Sequence, residues 1–199
     1  FTPPKQLTIH NQLNDNNSVA SLWAQKIKSD WKQKKPVLID NDSGANTGII
    51  ITEISDPKSI ANSPEGYRLT INADNITIET LTQTGAYYAL QTLRQIWAQN
   101  KQTLPSVTVT DYPRFKYRGI LLDAARHYFT PDQIKNFIDI MAAAKLNTLH
   151  LHLSDDEAFR LELADYPELT KIGASRGLGL PIGPLSWPQK NLSQASDKL

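Results

Sequence analysis

Tyr117-Arg118-Gly119-Ile120-Leu121-Leu122-Asp123 and Asn147-Thr148-Leu149-His150-Leu151-His152-Leu153 flank the segment Thr130-Pro131-Asp132-Gln133. The first run has an apolar centre and the second alternates, as strands do. The inner segment carries three helix-start signals: Thr at the cap, Pro at the first helical position, and Gln three residues after the cap. Ile134, Phe137, Ile138 and Met141 then line one helix face. Strand, helix and strand within 37 residues make a βαβ unit, with parallel strands and a right-handed crossover expected.

Upstream the pattern differs, and the change comes at Asp111-Tyr112-Pro113. Short β-rich runs read as strands at Leu7 to His10, Val37 to Ile39, Gly48 to Ile54, Tyr67 to Asn72, Ile76 to Leu81 and Val107 to Val109. Tyr67, Leu69 and Ile71 alternate with Arg68 and Thr70, as on a half-buried strand. The turn-rich Asn72-Ala73-Asp74-Asn75 joins that run to the next as a hairpin. Val19, Leu22, Trp23, Ile27 and Trp31 fall at helical spacing, so a helix capped by Ser18 should run to near Lys34, with Pro36 as its stop. A second helix is expected from about Thr84 to Gln99, with Tyr87, Leu90, Leu93, Ile96 and Trp97 as its stripe. Strands on which two helices pack make an α+β domain.

Downstream of Leu163 the chain loosens. Gly173 to Leu199 holds four of the nine glycines and three of the twelve prolines with little periodicity, and reads as a long loop. The expected organisation is therefore an α+β domain over 1–112, then a βαβ unit followed by a long loop over 113–199.

Composition excludes several classes. The net charge is +1, and no basic or acidic block points to nucleic acid. The lysines at 32, 34 and 35 are expected at the end of the first helix, where positive charge suits the helix dipole. No cysteine is present, which removes disulfides and thiolate metal sites. No apolar run is long enough for a membrane span. Glycosylation-type sequons at Asn75 and Asn191 are discounted as chance matches. The start Phe-Thr-Pro-Pro lacks a methionine, so it is expected to follow a cleavage or a cloning boundary.

In a βαβ unit the functional loops follow the C-terminal strand ends. Asp123, Arg126 and His127 fall after the first strand; His152, Asp155, Asp156 and Glu157 fall after the second. Parallel neighbouring strands would bring both clusters to one rim. An arginine there serves either as a structural ion-pair partner or as a ligand clamp. His150 and His152 share a face and read first as hydrogen-bonded core residues, with metal ligation as the alternative. The acidic run at 155–157 is a solvated turn, a helix cap or a metal site.

The segment Arg118-Gly119-Ile120-Leu121-Leu122-Asp123-Ala124-Ala125-Arg126-His127-Tyr128-Phe129 resembles the first barrel strand of glycoside hydrolase family 20. Lys145-Leu146-Asn147-Thr148-Leu149-His150-Leu151-His152-Leu153-Ser154-Asp155-Asp156-Glu157 resembles the second. Tyr166-Pro167-Glu168-Leu169 and Gly173-Ala174-Ser175-Arg176 continue the likeness, and Gly85 to Gln95 resembles the last helix of the domain before the barrel.

This resemblance implies an exo-acting β-N-acetylhexosaminidase with a (β/α)8 catalytic barrel and neither cofactor nor metal. Its substrates would be oligosaccharides or glycoconjugates ending in N-acetylglucosamine or N-acetylgalactosamine. Catalysis would be retaining and substrate-assisted, with the 2-acetamido carbonyl as nucleophile. Arg126 matches the arginine that binds hydroxyls of the terminal sugar, and Asp155 matches a carboxylate that orients a histidine beside the catalytic acid. His152 and Asp156 would support that rim, and Arg118 would be structural. Export is implied by the family.

The family's catalytic Asp-Glu pair lies in a His-x-Gly-Gly-Asp-Glu setting, and none occurs here; Asp156-Glu157 belongs to the second-strand motif. The chain is thus expected to hold no catalytic residue, to be inactive alone, and to need the rest of the barrel from another chain or a swapped copy. A non-catalytic carbohydrate-binding or scaffolding module is the alternative. A phosphate-dependent barrel aldolase is a more distant one.

Overall fold

The computed structural model describes residues 1–13, 18–33, 35–41, 47–100 and 102–174. The chain forms two compact units, Phe1–Lys116 and the residues from Tyr117 onward.

The first unit contains β1 (Thr8–Asn11), α1 (Ser18–Asp30), β2 (Leu38–Asp40), β3 (Gly48–Glu53), β4 (Tyr67–Ile71), β5 (Asn75–Thr80), α2 (Gln83–Asn100) and β6 (Val107–Asp111). The strands form one mixed sheet in the order β2-β1-β3-β5-β4-β6. β1, β2, β3 and β5 run parallel, while β4 is antiparallel to both β5 and β6.

The register explains why the sheet is buried on one face. Ile9 pairs with Ile49, Ile49 with Ile76, and Ile76 with Ile71; beside that row run Ile51, Ile78 and Leu69. Period-two alternation puts both rows on the same face. These residues share one core with Trp23 and Ile27 of α1 and Leu90 and Leu93 of α2, and all are at most 1% exposed. Each such side chain contributes roughly 1.5–3 kcal/mol by leaving water. The opposite face carries Thr70, Thr77, Arg68 and Glu79, which are only partly buried, and is covered only at its Ile50 and His10. The hairpin turn expected at 72–75 is present, closed by the Asn72 amide donating to the Asn75 carbonyl.

The expected end of the first helix needs correction. α1 ends at Asp30, not near Lys34, and Pro36 is not what stops it. Lys32 adopts φ 49°, and the amides of Lys32 and Gln33 bond the carbonyls of Ser29 and Lys28. That pair of bonds is a Schellman-type C-cap, which ends a helix wherever a left-handed residue follows it. Lys32 therefore occupies the cap itself rather than the last turn, and Lys34 lies outside the described residues. The 3-10 turn at Pro57–Ile60 was not expected, although Asp56-Pro57 signals it: the Asp56 carboxylate accepts from the Lys58 amide, and Pro sits at the first position.

The second unit contains β7 (Gly119–Asp123), α3 (Pro131–Ala143), β8 (Thr148–His152) and the single-turn α4 (Glu168–Lys171). α3 starts as the sequence requires. The Thr130 hydroxyl accepts from the Gln133 amide, and the Gln133 side chain accepts from the Thr130 amide. β7 and β8 pair in parallel, Gly119 with Thr148 through to Asp123 with His152. The stretch after Leu163, where the chain loosens, holds α4, too short to leave a periodic signal; the expected long loop from Gly173 falls almost wholly outside the described residues. Burial here is thinner. Met141 alone is buried in α3, while Ile138, Ile140 and Leu121 are 47%, 66% and 53% exposed. Among the described residues no helix is long and apolar enough to cross a membrane.

Candidate active site

The site is built where β7 and β8 end. Asp123 and His152 are register partners, so the two loops start side by side. The amides of Ala124 and Ala125 both donate to the His152 carbonyl, at 3.0 and 3.1 Å, extending the ladder one step past the strands. Asp123 Oδ1 accepts from the amides of Ala125 and Arg126 at 3.1 and 3.0 Å. This carboxylate-to-backbone turn swings the chain so that Arg126 folds back onto Asp123, with Nε 2.6 Å from Oδ2.

The loop after β8 turns more tightly. Ser154 and Phe159 form an antiparallel bridge, and the Asp155 amide donates to the Ala158 carbonyl. Asp155 Oδ2 then lies 2.6 Å from His152 Nε2 and 3.5 Å from Arg126 Nε, while its Oδ1 accepts from the Asp156 amide at 2.8 Å. Asp123, Arg126, Asp155 and His152 thus form one polar chain across the rim. The Arg126 side chain remains 56% exposed, so the guanidinium is anchored on one side and open on the other.

The electrostatics follow from this packing. Partial burial would raise the Asp123 carboxyl, but the Arg126 amide and the adjacent guanidinium outweigh it and leave it below its ordinary value. Asp155 is driven well below that value by hydrogen bonding with the Asp156 side chain and with His152, then by the Asp156 amide and the Arg126 charge. Asp156 moves the opposite way. Its hydrogen bond to Asp155 favours the protonated form, and desolvation and the charges of Asp155 and Glu157 push it further up.

Four expected residues, Arg126, His152, Asp155 and Asp156, therefore meet on one rim. His150 is corrected: it is exposed, not a core residue, because its stretch of the face is open, with its register partner Leu121 exposed as well, whereas His152, on the same face at the strand end, meets Asp155. His127 packs edge-on against Phe129 and joins no ion pair of the rim shown here. Arg118 works at the opposite end of the strands, donating to the Lys145 carbonyl at 2.8 Å. Among the described residues no group of three His, Cys, Asp or Glu is placed to hold a metal ion.

Sequence reasoning missed Arg160. Its Nε and Nη2 donate to the carbonyls of Ala124 and Ala125 at 3.1 and 3.4 Å, and Nη1 donates to that of Ala174 at 2.8 Å. An arginine set in the apolar-alternating run Phe159-Arg160-Leu161 was the available signal.

The family model "Glycosyl hydrolase family 20, domain 2" matches residues 5–112, more than half of the chain, and "Glycosyl hydrolase family 20, catalytic domain" matches 115–179. The chain belongs to glycoside hydrolase family 20. It is 46% identical over 111 residues to an N,N'-diacetylchitobiase of Vibrio harveyi, covering 55% of this chain and 13% of that protein. It is 31% identical over 188 residues to a β-hexosaminidase of Porphyromonas gingivalis, covering 90% and 24%. Among solved structures it resembles the exo β-N-acetylglucosaminidase of Vibrio harveyi in complex with N-acetylglucosamine, with TM-score 0.74 and 32% identity over 92% of this chain and 28% of that one. The chain thus spans about a quarter or less of the two curated relatives.

Proposed function

We propose that this chain is part of an exo-β-N-acetylhexosaminidase: the family's α+β domain over 1–112, then the opening strands of a (β/α)8 barrel over 113–199. The whole enzyme removes terminal N-acetylglucosamine or N-acetylgalactosamine from oligosaccharides or glycoconjugates, with retention, through the substrate's own acetamido group. Support comes from the family membership and from the names of the relatives, which are hexosaminidases and chitobiases.

The observation that carries the reading is Arg126, held by Asp123 and Asp155 yet half exposed at the C-terminal ends of two parallel strands. Such a guanidinium offers fixed donors to adjacent sugar hydroxyls. Asp155 orients a histidine from a later strand; His152 and Asp156 hold Asp155 in place. The catalytic Asp-Glu pair comes from outside these residues, so the 199-residue chain is inactive alone. The exposed apolar face of α3 and the open edges of the β7–β8 pair are covered by the rest of the barrel, from the same protein, another chain or a swapped copy. Export fits an enzyme acting on such glycans.

The test is hydrolysis of p-nitrophenyl N-acetyl-β-glucosaminide by this chain and by a longer polypeptide from the same gene. Activity in the longer one alone is expected. Turnover by the 199-residue chain would overturn the assignment, and binding without turnover by both would favour a carbohydrate-binding module.

A further inference from the structure

We propose that Arg160 is a positioning residue for Arg126: its guanidinium holds the carbonyls of Ala124 and Ala125 and so fixes the loop from which Arg126 reaches the sugar. The inference rests on the reading above for its link to catalysis, but its structural half stands on the contacts alone.

Ala124 and Ala125 are 3% and 0% exposed, so their backbone groups have little access to water. Their amides are taken by the His152 carbonyl and by Asp123. The carbonyls need partners as well, because a buried peptide oxygen left alone is costly. Arg160 supplies them from one edge of its guanidinium, Nε to Ala124 and Nη2 to Ala125. The opposite edge donates to the Ala174 carbonyl, and Cζ lies over the Tyr128 ring, 5.2 Å from its centre. Arg160 is itself anchored, since its amide donates to the Leu153 carbonyl at 2.7 Å. The side chain therefore ties the loop after β7 to the return from β8, one residue before Arg126. A lysine cannot reproduce this fork, because its ammonium is a single centre.

The experiment compares Arg160→Ala, Arg160→Lys, Arg126→Ala and Arg126→Ala/Arg160→Ala in the longer, active polypeptide. Arg160→Ala should lower kcat/KM on the order of 100-fold through misplacement, and Arg160→Lys should recover only part of it. In the Arg126→Ala background the second change should add little, because both act through one group. Amide exchange at Ala125 and Arg126 should accelerate roughly tenfold in Arg160→Ala while Leu121 and Leu122 keep their protection. Additive kinetic losses, or an even loss of protection along β7, would show a merely structural residue and overturn the proposal. Should the unaltered polypeptide prove inactive, the proposed function fails; unchanged exchange at Ala125 and Arg126 would then sink the positioning role, and localised acceleration would sustain it.

Discussion

Asp155 Oδ2 lies 2.6 Å from Nε2 of His152, a partner three residues earlier on β8, and the same oxygen faces the Arg126 guanidinium. One carboxylate oxygen thus joins the two strand-end loops. The contact is partly solvated, so its value is orientation more than stability. Asp155→Asn keeps the shape but removes the charge on which both partners depend. In the longer, active polypeptide it should lower kcat/KM by roughly 10–100-fold, the usual cost of losing an orienting neighbour. Asp156→Asn, which leaves its amide bond to Asp155 intact, should cost far less. Steady-state kinetics on the two variants decide it, and equal losses would mean that Asp155 has no special place.

The two adjacent carboxyls should titrate apart. The ordinary value for each is 3.8; the fold lowers Asp155 and raises Asp156. Ionised Asp155 is favoured by the native state, so its stabilising contribution is present above pH 3.8 and fades as pH falls toward its lowered value. For Asp156 the native state favours the protonated form, so its contribution is lost as pH rises above 3.8. Carboxyl NMR at pH 3.8 should find Asp155 mostly ionised and Asp156 mostly protonated. A common midpoint for both would contradict the shared hydrogen bond.

Gly85, in the first turn of α2, is a packing requirement. A Cβ there would lie 2.0 Å from Thr80 Oγ1 and 2.4 Å from the Gly66 carbonyl oxygen, and that hydroxyl already donates to the same carbonyl at 2.8 Å. In a free helix Gly→Ala is worth about 1 kcal/mol of added stability. Here Gly85→Ala should instead destabilise by about 1–3 kcal/mol, as overpacking does. A urea midpoint that stays put or rises would show that the Thr80 side chain can move aside.

Lys32 is the converse. A non-glycine residue at φ 49° pays a backbone penalty, and its side chain is exposed. Lys32→Gly should raise stability by about 0.5–1 kcal/mol, the left-handed strain relieved less the added chain entropy of glycine. The same denaturation series measures it; a lower midpoint would mean that the lysine stem packs usefully at the end of α1.

Local chemistry determines local structure. The Thr130-Pro131-Asp132-Gln133 segment contains every group its capping box uses, so the start of α3 was legible. Alternation in Tyr67, Leu69 and Ile71 revealed the buried face of β4, because a strand's period is a property of its own residues. The strand-end placement of Arg126 and Asp155 followed from βαβ connectivity. Where a single left-handed residue decides the outcome, as at Lys32, composition carries no warning, and the end of α1 was misjudged.

Other features required the chain to meet itself. That β3 lies between β1 and β5, and that β4 rather than β5 pairs with β6, is decided by which rows of isoleucines can share one core beneath α1 and α2. That Asp155 turns to Arg126, and that Arg160 grips the carbonyls beneath Arg126, depends on two loops meeting 29–36 residues apart in the chain. Side-chain periodicity reports which face a residue occupies on its own element; it says nothing of distances between elements, and those distances make the rim.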